Sequence, residues 1–189
     1  MKIDIIEIQN KLSLRKRNVT IASGAKKSAV LIPIVKRENG FTLLFTKRTE
    51  DVEHHKGQIS FPGGATDSAD KNIIETALRE ADEEIGLKKE FVKIIGMLDE
   101  VHTPSDFHIT PVVGFIENLP VLKRNENEVL EIFEIDLNNF FDEKIIRTEL
   151  REVFGKTRTV YFYDVWREPI WGATAYFVKQ LVDIINSQN

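Results

Sequence analysis

Along Ile73–Ile85, apolar Ile73, Ile74, Ala77, Leu78, Ala81 and Ile85 recur at three- and four-residue intervals, and Gly86 follows where a left-handed cap would end a helix. No other stretch restricts the fold as firmly. A helix with one apolar arc must lie on another layer of structure, while the rest of its surface meets a cleft or solvent. That remaining surface carries Glu80, Glu83 and Glu84 at relative positions 0, +3 and +4, which a turn of about 100° per residue gathers on one side. Taken alone, three acids on a helix read most simply as a solvated face. The segment before the helix changes that reading, because Phe61-Pro62-Gly63-Gly64 lets backbone approach a ligand and expose carbonyl oxygens. Carbonyls and carboxylates are the hard oxygen donors that Mg²⁺ and Mn²⁺ prefer. Like charges held this close repel unless a cation neutralises them. Such an ion can bind phosphate oxygens and lower the pKa of a bound water, which points to metal-assisted phosphoryl chemistry.

Around this helix the chain is mostly strand-like. Residues 29–36 and 41–47 are β-branched and aromatic, with Glu38-Asn39-Gly40 between them as a tight hairpin turn. Similar runs occupy 92–98, 109–116, 129–135 and 159–166, and Gly155-Lys156-Thr157-Arg158 is a further turn candidate. A second helix is expected over 170–185, and a short amphipathic one in the first dozen residues, before Ser23-Gly24. Many strands with two dissimilar helices predict an α+β sandwich, a mixed sheet covered by helices. The 189 residues are 42% apolar with twelve Phe, enough for a sizeable core, and no repeat or Pro/Gly/Ser-rich stretch divides them. One domain over 1–189 is the reading, with 1–28 as an amino-terminal extension.

The chain has no cysteine, which removes disulfides, thiolate nucleophiles and Cys-ligated metal sites and fits a reducing compartment. Its longest apolar run, 29–35, includes Pro33 and is far short of the ~20 residues that cross a bilayer. Asp4 and Glu7 interrupt the stretch a signal peptide would need, so a cytoplasmic location is expected. Acids outnumber bases 30 to 26, for a net charge of -4. This balance argues against nucleic acid or anionic membrane as partners and leaves room for a small phosphorylated molecule.

Residues 64–87 resemble the Nudix box, G-x5-E-x7-R-E-U-x-E-E-x-G-U. Arg79-Glu80, Ala81, Glu83-Glu84, Gly86 and Leu87 fall on the second half of that pattern in full. The first half departs twice: Asp70 stands where the box has glutamate, and eight residues instead of seven separate it from Arg79. In the family that glutamate orients the arginine; here either Asp70, or Glu75 four residues before Arg79, could do so. The resemblance implies a Nudix-fold α/β/α sandwich with a mixed β-sheet, and Mg²⁺ or Mn²⁺ carried by Glu80, Glu83 and Glu84 with Gly64. It also implies a general base, either Glu83 or a later acid such as Glu128.

The likeness runs on beyond the box. Leu44-Phe45-Thr46-Lys47-Arg48-Thr49, followed by Gly57-Gln58-Ile59-Ser60-Phe61-Pro62-Gly63-Gly64, is similar to the motif that precedes the box in the coenzyme A diphosphatase branch. Phe45, Thr49 and Glu53 depart from it, and Glu53 reverses the charge of an expected arginine. Residues 103–114 and 170–175 look like the same branch, with Asp106 where glycine is usual. The likeness covers roughly 29–181. It implies hydrolysis of the pyrophosphate bond of coenzyme A or acyl-coenzyme A, giving 4'-phosphopantetheine or its acyl form and adenosine 3',5'-bisphosphate. ADP-ribose or NADH as substrate, and a nucleotide-sensing domain without turnover, are the rival readings; a homodimer follows by analogy alone.

Other residues have to be weighed against plainer roles. Lys47 and Arg48 at a strand end suit phosphate, Arg especially, because its fork is bidentate. Ser105 is a substrate-binding candidate, although Ser105 and Thr103 suit loop capping better. Trp171 followed by small residues reads first as helix packing. His54 and His55 in a polar loop are most simply solvated. His102 and His108 lack the spaced companions of a zinc site.

Overall fold

The computed structural model describes residues 3–19, 24–50 and 57–187. The chain runs α1 (Ile5–Leu14), β1 (Lys26–Arg37), β2 (Gly40–Arg48), β3 (Ile59–Ser60), β4 (Gly63–Ala65) and α2 (Ile73–Ile85). It continues through β5 (Lys93–Met97), β6 (Val101–His102), β7 (Phe107–Ile116), β8 (Val129–Asp136), β9 (Ile146–Val153), β10 (Lys156–Tyr163), β11 (Ile170–Trp171) and α3 (Gly172–Asn186). Ser23, Glu53, His54 and His55, weighed above, lie outside the described residues.

The main sheet is mixed. Its central strand β1 runs parallel to β7, and every other pairing in it is antiparallel. Strand alternation then builds two cores, because successive side chains leave opposite faces. From β1, Ala29, Leu31 and Val35 meet Ala77, Ala81 and Ile85 of α2, whereas Ile32 and Ile34 join Ile8 and Leu12 of α1 and Phe177 and Leu181 of α3. The sheet is therefore sandwiched between α2 and the α1/α3 pair, as the α+β expectation requires. A three-stranded sheet, β11-β10-β9, packs beside α3.

One edge of β1 is shared. Residues 28–30 pair with β4, residues 34–37 pair with β2, and Leu31 N–H reaches the Pro62 carbonyl at 2.8 Å. Pro33 falls in the gap between those partners, so its missing N–H leaves no ladder bond unmade.

Several boundaries differ from the sequence expectation. The β1–β2 turn is Glu38-Asn39, with Gly40 already paired to Arg37. Residues 164–166, expected as strand, are not; β10 begins earlier, at Lys156, after a turn at Phe154-Gly155. Both turn residues have positive φ, 53° and 68°, the backbone of a type I′ hairpin. Its partner β9 was absent from the sequence reading. The carboxyl-terminal helix starts at Gly172 (φ 67°), because Ile170 and Trp171 form β11. Helix α2 has the expected span: the Asn72 side chain accepts from the Ile74 and Glu75 N–H groups, and Gly86 ends it at φ 68°. Among the described residues no helix is long and apolar enough to cross a membrane.

Candidate active site

Gly63 and Gly64 lie on β4, hydrogen-bonded to β1 opposite Val30 and Ala29. A side chain at either position would collide with what stands there now. A Cβ on Gly63 would land on the Ala29 carbonyl oxygen and 2.6 Å from Val30 Cα; one on Gly64 would meet the Glu80 carboxyl carbon at 2.5 Å. The acids of α2 thus stand directly against the Gly-Gly backbone.

Arg79 organises them. Its Nε donates to Asp70 Oδ1 at 3.0 Å, Nη2 to Asp70 Oδ2 at 3.2 Å and to the Ala65 carbonyl at 2.9 Å, and Nη1 meets Glu83 at 2.8 Å and Glu80 at 2.9 Å. Asp70 also accepts from Asp67 N–H and Thr76 Oγ1, at 2.9 and 2.8 Å. Of the two acids offered as the arginine's partner, Asp70 is the one in contact. Glu75 turns away and accepts from Lys71 N–H. The guanidinium, with smaller help from the other two donors, holds the Asp70 carboxyl down at about 2, against an ordinary value of 3.8.

Asp70 therefore contributes stability that is complete above pH about 4 and is lost as pH falls through about 2, because a folded pKa below the unfolded one favours the ionised native state. Asp70→Asn should lower stability by about 1.5–3 kcal/mol, the range for hydrogen bonds to charged groups. In denaturant titrations it should also flatten the fall of the unfolding free energy between pH 4 and 2.

Glu84 is the most enclosed of the acids, at 2% exposure. Arg48 Nη1 donates to its Oε1 and Gly63 N–H to its Oε2, each at 3.2 Å. Burial outweighs both donors and pushes its pKa up to about 8; burial also raises Glu80, where the nearby charges of Glu83 and Glu128 add to the effect. Glu128, on the loop before β8, is held by Asn125 Nδ2 at 3.1 Å. Four carboxylates thus act on one another around Gly64, the surplus of negative oxygen that a divalent cation relieves. As placed, Arg79 and Arg48 supply that compensation, and among the described residues no three acid or imidazole groups converge on one point.

On the far side of Gly64 opens a cleft of about 560 Å³. Arg48, Gly63, Gly64 and Ser105 line it, and so does Lys26, which the sequence reading overlooked: a lysine opening a strand carries no signal of its own. Apolar walls come from Ile59, Phe61, Phe107, Ile109, Trp171 and Phe177, and no carboxylate lines it. Lys47 does not join the cleft. Alternation along β2 turns it to the opposite face from Arg48, where Nζ pairs with Glu168 at 2.6 Å. Asp106 has φ 61°, the left-handed region that favours glycine and that Asp tolerates, which accounts for the residue type usual there. His102 pairs with Asp106 and His108 with Glu100, at 2.7 and 2.9 Å.

Residues 25–155 match the model of the NUDIX domain, more than half of the chain. The chain belongs to the Nudix family. A Nudix hydrolase NudL of Pectobacterium atrosepticum is 40% identical over 158 residues, covering 82% of this chain and 81% of that one. The protein of the same name from Yersinia enterocolitica is 36% identical over 169 residues, 88% and 85% of the two chains. Among solved structures, a MutT/nudix family protein from Enterococcus faecalis superposes with a TM-score of 0.58 over 97% of this chain and 70% of its own, at 12% identity, and so speaks for the fold. This Nudix chain is accordingly a hydrolase of pyrophosphate bonds, from a family that generally uses divalent metal ions. The segment from Gly64 to Leu87, whose sequence resembles the Nudix box, lies within the matched residues, with Asp70 in contact with Arg79.

Proposed function

We propose that this Nudix hydrolase cleaves the pyrophosphate bond of coenzyme A or an acyl-coenzyme A, with Mg²⁺ or Mn²⁺, releasing 4'-phosphopantetheine or its acyl form and adenosine 3',5'-bisphosphate. The observation that carries this is the cleft. In a chain with 30 acids and a net charge of -4, it has Arg48 and Lys26 in its walls, no carboxylate, and a broad apolar lining, and it ends against the Gly63-Gly64 backbone beside the acids of α2. Such a site favours a long ligand with an anionic segment and apolar stretches.

Glu80, Glu83 and Glu84 with Gly64 have the donor chemistry to hold the ion, which when bound neutralises phosphate charge and activates water. Arg48 and Lys26 hold the diphosphate, Ser105 supplies a hydroxyl to the same cleft, and Arg79 keeps the acids in place. Water adds to one phosphorus, the bridging P–O bond breaks with its oxygen leaving on the other phosphate, and the water's proton passes to a carboxylate. Glu128 suits that last task better than Glu83, because Glu83 is ion-paired to Arg79 and Glu128 has no ion pair among the described residues.

The test is incubation with coenzyme A, ADP-ribose and NADH, each with Mg²⁺, Mn²⁺ or chelator, and identification of products by mass. Adenosine 3',5'-bisphosphate from coenzyme A, abolished by chelator, is the expected result. Release of AMP from ADP-ribose or NADH alone would transfer the chemistry to another substrate, and nucleotide binding without turnover would favour a sensing role. Arg48→Ala should both raise KM and lower kcat, because Arg48 lines the cleft and also pairs with buried Glu84. Steady-state kinetics on the cleaved substrate check this; a change in KM alone would confine Arg48 to binding.

A further inference from the structure

The small sheet carries a column of flat groups that ends in the cleft. Phe162 of β10 is the register partner of Arg147 on β9 and of Trp171 on β11, so the three side chains leave the same face. The Arg147 guanidinium lies 4.0 Å from the Phe162 ring centre, and the Phe162 and Trp171 rings are 6.0 Å apart and within 11° of parallel. Arg151, two pleats along β9, lies 5.4 Å from Phe162 and 5.7 Å from Trp171. Glu149 holds both arginines, at 3.0 Å to Arg147 and 2.6 Å to Arg151, which fixes the guanidiniums against the rings. Phe162 is buried by this arrangement, but Trp171 at its end is 36% exposed and forms part of the cleft wall.

An indole held rigidly, with a cation over its ring at 5.7 Å and a side open to a cavity, is suited to stack a flat ring, since aromatic faces gain on planar partners and its conformational cost is already met. We infer that Trp171 is the stacking platform for the base of the nucleotide substrate, with Phe162 and Arg151 setting the plane of its ring. The inference rests on the nucleotide reading of the cleft above. With Arg48 and the glycines taking the diphosphate, Trp171 takes the base and makes the enzyme discriminate against diphosphates that lack one.

The chain has two tryptophans, and Trp166 is stacked on Phe133 at 3.9 Å, away from this column. In the full chain carrying Trp166→Phe, Trp171 becomes the sole tryptophan and reports directly. AMP should quench its emission and ribose 5-phosphate should not. Trp171→Leu in the otherwise native chain should weaken AMP binding about tenfold by calorimetry, the size of one lost base–aromatic stack, while Trp171→Phe stays within about threefold. Equal quenching by both probes, no quenching by either, or AMP binding unchanged in Trp171→Leu would overturn the assignment. If Trp171→Leu does not fold, the quenching comparison decides alone. Turnover of a diphosphate substrate with an unquenched indole would remove the platform and leave the hydrolase reading intact. Quenching by AMP without turnover of coenzyme A, ADP-ribose or NADH would do the reverse.

Discussion

Glu84→Gln is expected to lower kcat/KM at least 100-fold and to leave the melting temperature within a few degrees of the parent. The two halves of that statement come from the same geometry. Glu84 sits at 2% exposure between Arg48 and the Gly63 N–H, so the fold already bears the cost of enclosing a charge there, as its pKa of about 8 records. Glutamine keeps the shape, can still accept from Gly63 N–H, and is neutral, so the cost of burying a charge disappears along with the pairing to Arg48. Activity has no such compensation. A carboxylate that would hold a cation is not replaced by an amide, which has no charge to set against the ion's. Glu83→Gln should cost comparable activity through the same loss of charge. Steady-state kinetics beside thermal melts check both variants, and full activity in either would remove that residue from the site.

The adjacent glycines should separate folding from catalysis. Alanine at Gly63 would drive its methyl group into the backbone of β1, at the Ala29 carbonyl and 2.6 Å from Val30 Cα. Strand backbone at the centre of a sheet cannot step aside cheaply, so Gly63→Ala should destabilise by about 3 kcal/mol, at the upper end of overpacking costs. The three atoms nearest an alanine methyl at Gly64 all belong to the Glu80 carboxylate, the far end of a flexible side chain. Gly64→Ala should therefore melt close to the parent while losing most activity, because Glu80 must move from its place beside Gly64. Denaturant titration with kinetics on the pair is the check; similar behaviour of both would mean that the two contacts do not differ as the backbone geometry requires.

How far the sequence revealed this arrangement depended on whether a residue's partners were local. Helix α2 was legible to the residue, because its apolar periodicity and Gly86 are contained in one segment. The acids were legible for the same reason. What holds Arg79 was not: Asp70 reaches it across a loop one residue longer than the family pattern, whereas Glu75 had the spacing of an ordinary helical pair and uses its carboxylate on Lys71 N–H instead. Strand β9 escaped because Ile146–Val153 is half charged and lies at the edge of its sheet, so it shows no apolar alternation. The turn after it was placed late because Phe154, an unusual residue for φ 53°, occupies its first position. Lys47 and Arg48 both stood as phosphate candidates in sequence, Arg48 the stronger; only the pleat of β2 sends Arg48 to the cleft and Lys47 to Glu168.

The shared edge of β1 also governs how this centre loses its order. Leu31 N–H bonds to the Pro62 carbonyl at 2.8 Å and Thr66 N–H to the Lys27 carbonyl at 3.0 Å, so the Gly-Gly segment is stitched at both ends to the most central strand. Segments that line active sites often open locally, well below the free energy of global unfolding. This one is expected not to open independently, because releasing it strips ladder bonds from the middle of the sheet. Its amide hydrogens should exchange with solvent on the slow timescale of the core, and heat inactivation should coincide with loss of the whole sheet instead of preceding it.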